Sequence, residues 1–131
     1  MNAALQQGQI VRVAMPDPQG RNWKRRPVVI YTPTDEIAAD GMIDVVAITT
    51  QVGTFPPEVS VPLPWQRGGH PRTTLTQRNE AICTWTGRVP ITDAEPPIGR
   101  VPLAELTRIL AILTSFLSPP VSPPPPPPST P

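Results

Sequence analysis

Apolar and polar positions alternate first over residues 8–15, where Val11, Val13 and Met15 share one side. That period predicts a half-buried strand. Residues 16–20 (Pro-Asp-Pro-Gln-Gly) carry turn chemistry. A β-branched and aromatic run, residues 27–32, predicts a second strand opened by Pro27. Residues 33–41 read as a polar connection, and residues 42–50 as the strongest strand of the chain. Shorter strands are predicted at 58–61, 80–85 and 87–91, with an irregular Gly- and Pro-rich loop at 65–72. One helix is predicted, at 102–117, with Pro102 at its first position. Leu103, Leu106, Leu110, Leu113 and Leu117 form its apolar stripe, which Ile109, Ile112 and Phe116 widen beyond one face. A helix so coated is expected to be gripped on several sides, by the sheet and by a second subunit.

Short strands closed by one terminal helix predict a mainly β fold, a small SH3-like barrel. Proline supports this: of 22 prolines, 13 lie in the first 118 residues, a density that a helical bundle does not tolerate. The other nine crowd the last 13 residues. The chain therefore divides into a domain over residues 1–117 and a disordered proline-rich tail over 118–131, extended and solvated. No apolar run reaches the ~18 residues of a membrane span. The first nine residues lack the basic and apolar regions of a secretory signal, so a cytoplasmic location and no membrane contact are expected.

Cys83 and His70 are the single residues of their kinds. They exclude an internal disulfide and a Cys/His zinc site, and no metal or cofactor is expected. His70, in a Gly-Gly-His-Pro loop, reads as a solvated side chain. The net charge is only +1, yet one lysine stands against ten arginines. Arg21, Lys24, Arg25 and Arg26 surround Trp23, a basic patch with an aromatic that suits single-stranded nucleic acid.

Pairing the strands at 27–32 and 43–48 as an antiparallel hairpin sets Thr32 opposite Ile43 and Pro27 opposite Ile48. The same register sets Arg26 opposite Thr49 at the same sheet end, with Cβ atoms ~5 Å apart. A guanidinium and a hydroxyl then converge beside the basic loop, and Gln51 follows. Such a group suits a phosphodiester better than a metal.

These segments also carry a resemblance. Gly-Gln-Ile-Val at 8–11, the 16–20 turn and Lys-Arg-Arg-Pro-Val-Val-Ile at 24–30 open the matching series. Val-Ala-Ile-Thr-Thr-Gln at 46–51, Pro-Pro-Glu-Val at 56–59 and Gly-Arg-Val-Pro-Leu-Ala-Glu-Leu at 99–106 complete it. In this order they resemble the MazF/PemK family of toxin endoribonucleases. The resemblance implies an SH3-like barrel, a homodimer, a cognate antitoxin, and metal-independent cleavage of single-stranded RNA by 2′-hydroxyl attack. It carries the catalytic roles onto Arg26 and Thr49. Arg21, Trp23, Lys24, Arg25, Thr50 and Gln51 become RNA contacts, and residues 17–25 a loop that lies over the RNA. The sequence departs from the family at Gln9, where an acid is usual, and at 82–88, where Arg88 is the candidate substitute. Val101 replaces the usual Ser or Thr helix cap, a loss of about 1 kcal/mol. Two other readings stay open: a non-catalytic module binding RNA or protein, and a gyrase poison of the CcdB kind.

Overall fold

The computed structural model describes residues 5–117; for residues 38–40 and 117 it describes the main chain only. The predicted tail, 118–131, lies outside the described residues. Six strands form one curled antiparallel sheet: β1 (Gln9–Met15), β2 (Lys24–Ile30), β3 (Met42–Thr49), β4 (Ser60–Pro62), β5 (Glu80–Pro90) and β6 (Gly99–Arg100). Their order across the sheet is β4-β5-β3-β2-β1-β6. A short helix, α1 (Thr34–Asp40), joins β2 to β3, and α2 (Leu103–Leu117) closes the chain. The mainly β architecture with a terminal helix agrees with the expectation. No helix among the described residues is long and apolar enough to cross a membrane.

Both faces of the sheet are buried, which explains why its central strands are unbroken apolar runs. In β2, Val29 enters one core cluster while Val28 and Ile30 enter the other. In β3, Val46 and Ile48 join the first, and Val45 and Ala47 the second. The first cluster is sealed by Leu106, Ile109 and Leu113 of α2. The second is enclosed by the sheet curling on itself and by Ile37 of α1. Val11, Val13 and Met15 all lie in it, as their spacing predicts.

The β2–β3 register is the predicted one, with Val28 opposite Ala47, Val29 opposite Val46 and Ile30 opposite Val45. The ladder ends there. Pro27 is not the first residue of β2 but its fourth, and three residues of the expected basic loop, Lys24, Arg25 and Arg26, are strand. Proline has no N–H to give a ladder, and β2 and β3 stop pairing beside it.

Four elements differ from expectation. The strand expected at 58–61 is β4 at 60–62, because residues 57–59 form a tight turn. The connection at 33–41 contains α1, which among its described side chains buries one apolar residue, Ile37. One anchor is too few to register as a period. The strands expected at 80–85 and 87–91 are one strand, β5. Gly87 does not break it; a Cβ there would lie 3.1 Å from Met15 Cε, so the glycine admits a core side chain. The two-residue β6, unpredicted, pairs with the start of β1. A Cβ at Gly99 would fall 2.3 Å from the Thr73 carbonyl oxygen, so only glycine lets the two main chains meet.

β5 also changes register. Val46 faces Thr86, but its neighbour Ala47 faces Ile82, so residues 83–85 bulge from the β3 ladder. On α2, Leu106, Ile109 and Leu113 are buried as predicted, whereas Leu103, placed in the same stripe, is 76% exposed. Val101 caps nothing; it is buried in the core, and its N–H donates to the Gly8 carbonyl at 2.8 Å.

Candidate functional site

The hairpin loop between β1 and β2 is tied by its own side chains. Asp17 Oδ1 accepts from the main-chain N–H groups of Gln19 (3.0 Å) and Arg21 (2.9 Å), and Oδ2 accepts from Asn22 Nδ2 (2.7 Å). The Arg21 N–H is the largest cause holding the Asp17 carboxyl below its ordinary range. With three bonds filled, this carboxylate is a weak base and a strong knot.

Arg26 follows from that knot. Its Nε donates to the Met15 carbonyl at 3.2 Å and its Nη2 to the Asn22 carbonyl at 3.1 Å. The guanidinium carbon lies 4.9 Å from the centre of the Trp85 ring. Trp85 in turn donates from Nε1 to the Pro16 carbonyl at 3.1 Å and stacks on Phe55, ring centres 6.2 Å apart. Across the parted strands, Thr49 Oγ1 accepts from the Gln51 N–H at 3.0 Å. That bond uses the oxygen and leaves the hydroxyl proton available to donate.

A cleft of about 840 Å³ opens between β2 and the end of β3. Arg26 and Thr49 both line it, as do Lys24, Arg25, Thr50 and Gln51. The predicted residues Arg21 and Trp23 do not; both are exposed, Trp23 at 67%. Arg25 also pairs with Glu95 at 3.0 Å. Arg88, the candidate substitute from the 82–88 segment, is not on the cleft; its Nη1 lies 3.2 Å from Asp44.

The sequence does not anticipate the other lining residues. Phe55, Gln77, Asn79 and Trp85 also line the cleft, brought there by loops and by the β5 bulge. Asn79 is buried, its Nδ2 donating to the carbonyls of Leu63 (3.3 Å) and Gln77 (3.0 Å). Its Oδ1 is the buried side-chain acceptor without a partner among the described residues. An aromatic inside an alternating strand, such as Trp85, was the available signal, and it read equally as core.

Neither remaining nucleophile candidate belongs to the cleft. Cys83 is buried, and that burial pushes its thiol up to about 11, away from the reactive thiolate. His70 is half-buried rather than solvated, its Nδ1 accepting from the N–H groups of Arg72 and Thr73 at 3.1 and 3.3 Å. It shapes its own loop.

Neither protein-family models nor curated proteins match this sequence. Solved structures do. MazF from Deinococcus radiodurans superposes with a TM-score of 0.67 at 18% identity, over 88% of this chain and 98% of that one. The Mycobacterium tuberculosis toxin MazF-mt6 gives 0.60 at 22% identity, over 81% and 93%. A mycobacterial endoribonuclease in complex with its cognate antitoxin gives 0.63 at 18% identity, over 92% and 98%. Likeness at this identity over nearly the whole length of each neighbour is a likeness of fold, and the chain has the fold of the MazF toxins.

Proposed function

We propose that this protein is the toxin of a toxin–antitoxin pair, a metal-independent endoribonuclease that cuts single-stranded RNA. The observation that carries the reading is the pair Arg26 and Thr49, presented by adjacent strands on one cleft among further cations. The MazF fold supports it. In this reading the RNA 2′-oxygen attacks the neighbouring phosphorus and the bond to the 5′-oxygen breaks. A cyclic phosphate and a 5′-hydroxyl result. The 2′-hydroxyl proton leaves to solvent, and the departing oxygen takes one from Arg26, which regains it from solvent. Arg26 balances the charge growing on the phosphorane, while Thr49 donates to a non-bridging oxygen. Lys24, Arg25, Thr50 and Gln51 hold the strand on either side. On this reading the protein acts in the cytoplasm, slows growth, is neutralised by a cognate antitoxin, and works as a homodimer through the apolar side chains that α2 leaves exposed.

Incubation with a mixed RNA pool in EDTA, followed by mapping of cut ends, tests the proposal. Fragments with 5′-hydroxyl ends are expected. Arg26→Ala and Thr49→Ala should each reduce cleavage by about 10²–10³-fold, with the fold retained. Cleavage at full rate in both variants rejects the assignment. RNA bound but never cut favours the non-catalytic module.

A further inference from the structure

The guanidinium of Arg26 must be held in one plane to meet a phosphate, and main-chain bonds alone leave it free to tilt about them. Two N–H groups are spent on the carbonyls of Met15 and Asn22, which leaves three for a ligand. The face of the group is fixed by something else. Trp85 lies on the bulge at 83–85, where β5 leaves the β3 register. Bulges re-aim side chains, and this one brings an almost buried indole, 8% exposed, to the cleft. The ring carries the guanidinium carbon at 4.9 Å. Its Nε1 is bonded to the Pro16 carbonyl, next in the chain to Met15, the acceptor of Arg26 Nε. Phe55 stacks on the ring and fixes its own tilt.

We propose that Trp85 is the positioning residue of Arg26: one side chain sets the guanidinium plane through its ring and pins the loop supplying the guanidinium's acceptors through its Nε1. The inference rests on the reading of Arg26 as the group that meets the phosphate. Ordering is thereby completed before RNA arrives, so the contribution belongs to the reaction step rather than to binding. It also explains why arginine, not lysine, stands at position 26. A lysine ammonium has no plane to stack and no fork to divide between carbonyls and ligand.

The test compares wild type with Trp85→Leu and Trp85→Phe, by steady-state cleavage of an RNA oligonucleotide and by NMR of the Arg26 side-chain Nε–H. Trp85→Leu should lower kcat about 10–100-fold with KM within about threefold, while Trp85→Phe, which keeps a ring but loses the Nε1 bond, recovers part of the rate. In the wild-type spectrum the Arg26 Nε–H proton should be shifted upfield by the indole ring, and Trp85→Leu should remove that shift. An unchanged kcat in Trp85→Leu, or a Phe variant as slow as the Leu variant, overturns the proposal. If wild type cuts no RNA, the ribonuclease reading fails, and the NMR arm still decides the placement of Arg26. If the Leu variant does not fold, the wild-type spectrum decides, because an Arg26 proton at the ordinary arginine position overturns the proposal.

Discussion

Arg26 illustrates how little of a candidate side chain's setting is local. The sequence places it next to Pro27 and opposite Thr49, and the structure puts both residues on one cleft. Its orientation comes from Met15, Asn22 and Trp85, at distances of 4 to 59 residues along the chain. The first two are main-chain carbonyls, which any residue type provides, so no sequence pattern could announce them. The knot at Asp17 leads to a pH prediction. Its folded carboxyl titrates below the ordinary 3.8. The stabilisation from its ionised form is therefore complete above that value and is lost as pH falls below 3.8 through the lower folded value. Asp17→Asn should unfold at a lower temperature than wild type at pH 7, and the two melting curves should converge below pH 3.8. At neutral pH the same variant should speed hydrogen exchange at the Arg21 amide.

Among the elements, those carrying a sustained apolar pattern were legible: the alternation of β1, the apolar runs of β2 and β3 and the 3–4 spacing of α2 fall within a few residues of expectation, and the β2–β3 register is the predicted one. α1 and β6 were not, because one buried isoleucine or a two-residue strand leaves no period to read. β5 was split because glycine usually punctuates a strand, whereas Gly87 makes room for Met15. The two glycines give a graded prediction. Gly99→Ala sets a Cβ against a fixed carbonyl and should cost about 3 kcal/mol or prevent folding. Gly87→Ala meets only the mobile end of Met15 and should cost about 1 kcal/mol. Denaturant unfolding of both variants checks the order.

At the scale of the molecule, the sheet is enclosed on both faces, yet α2 keeps Leu103 and Phe116 outside, 76% and 51% exposed. The wide apolar coat of this helix exceeds what one sheet can cover, and the homodimer proposed above would use the remainder. Leu103→Glu with Phe116→Glu should shift the protein from dimer to monomer in light scattering, with the unfolding temperature of the monomer retained. A mass unchanged by the double substitution would place any self-association elsewhere. Phe55, Gln77, Asn79 and Trp85 reach the cleft only once the chain has closed, which is why the sequence shows the basic part of the lining and not these residues.

The parting of β2 and β3 beside Pro27 has a consequence for how such a protein can diversify. On the proposed reading, the two reacting side chains hang from neighbouring strands of a single packed sheet, just past the last paired residues, Val28 and Ala47. Much of the rest of the rim comes from connecting segments, residues 50–55 and 75–79. Under that proposal, edits in those segments retune which nucleotides are accepted while the pair on the strands stays where it is.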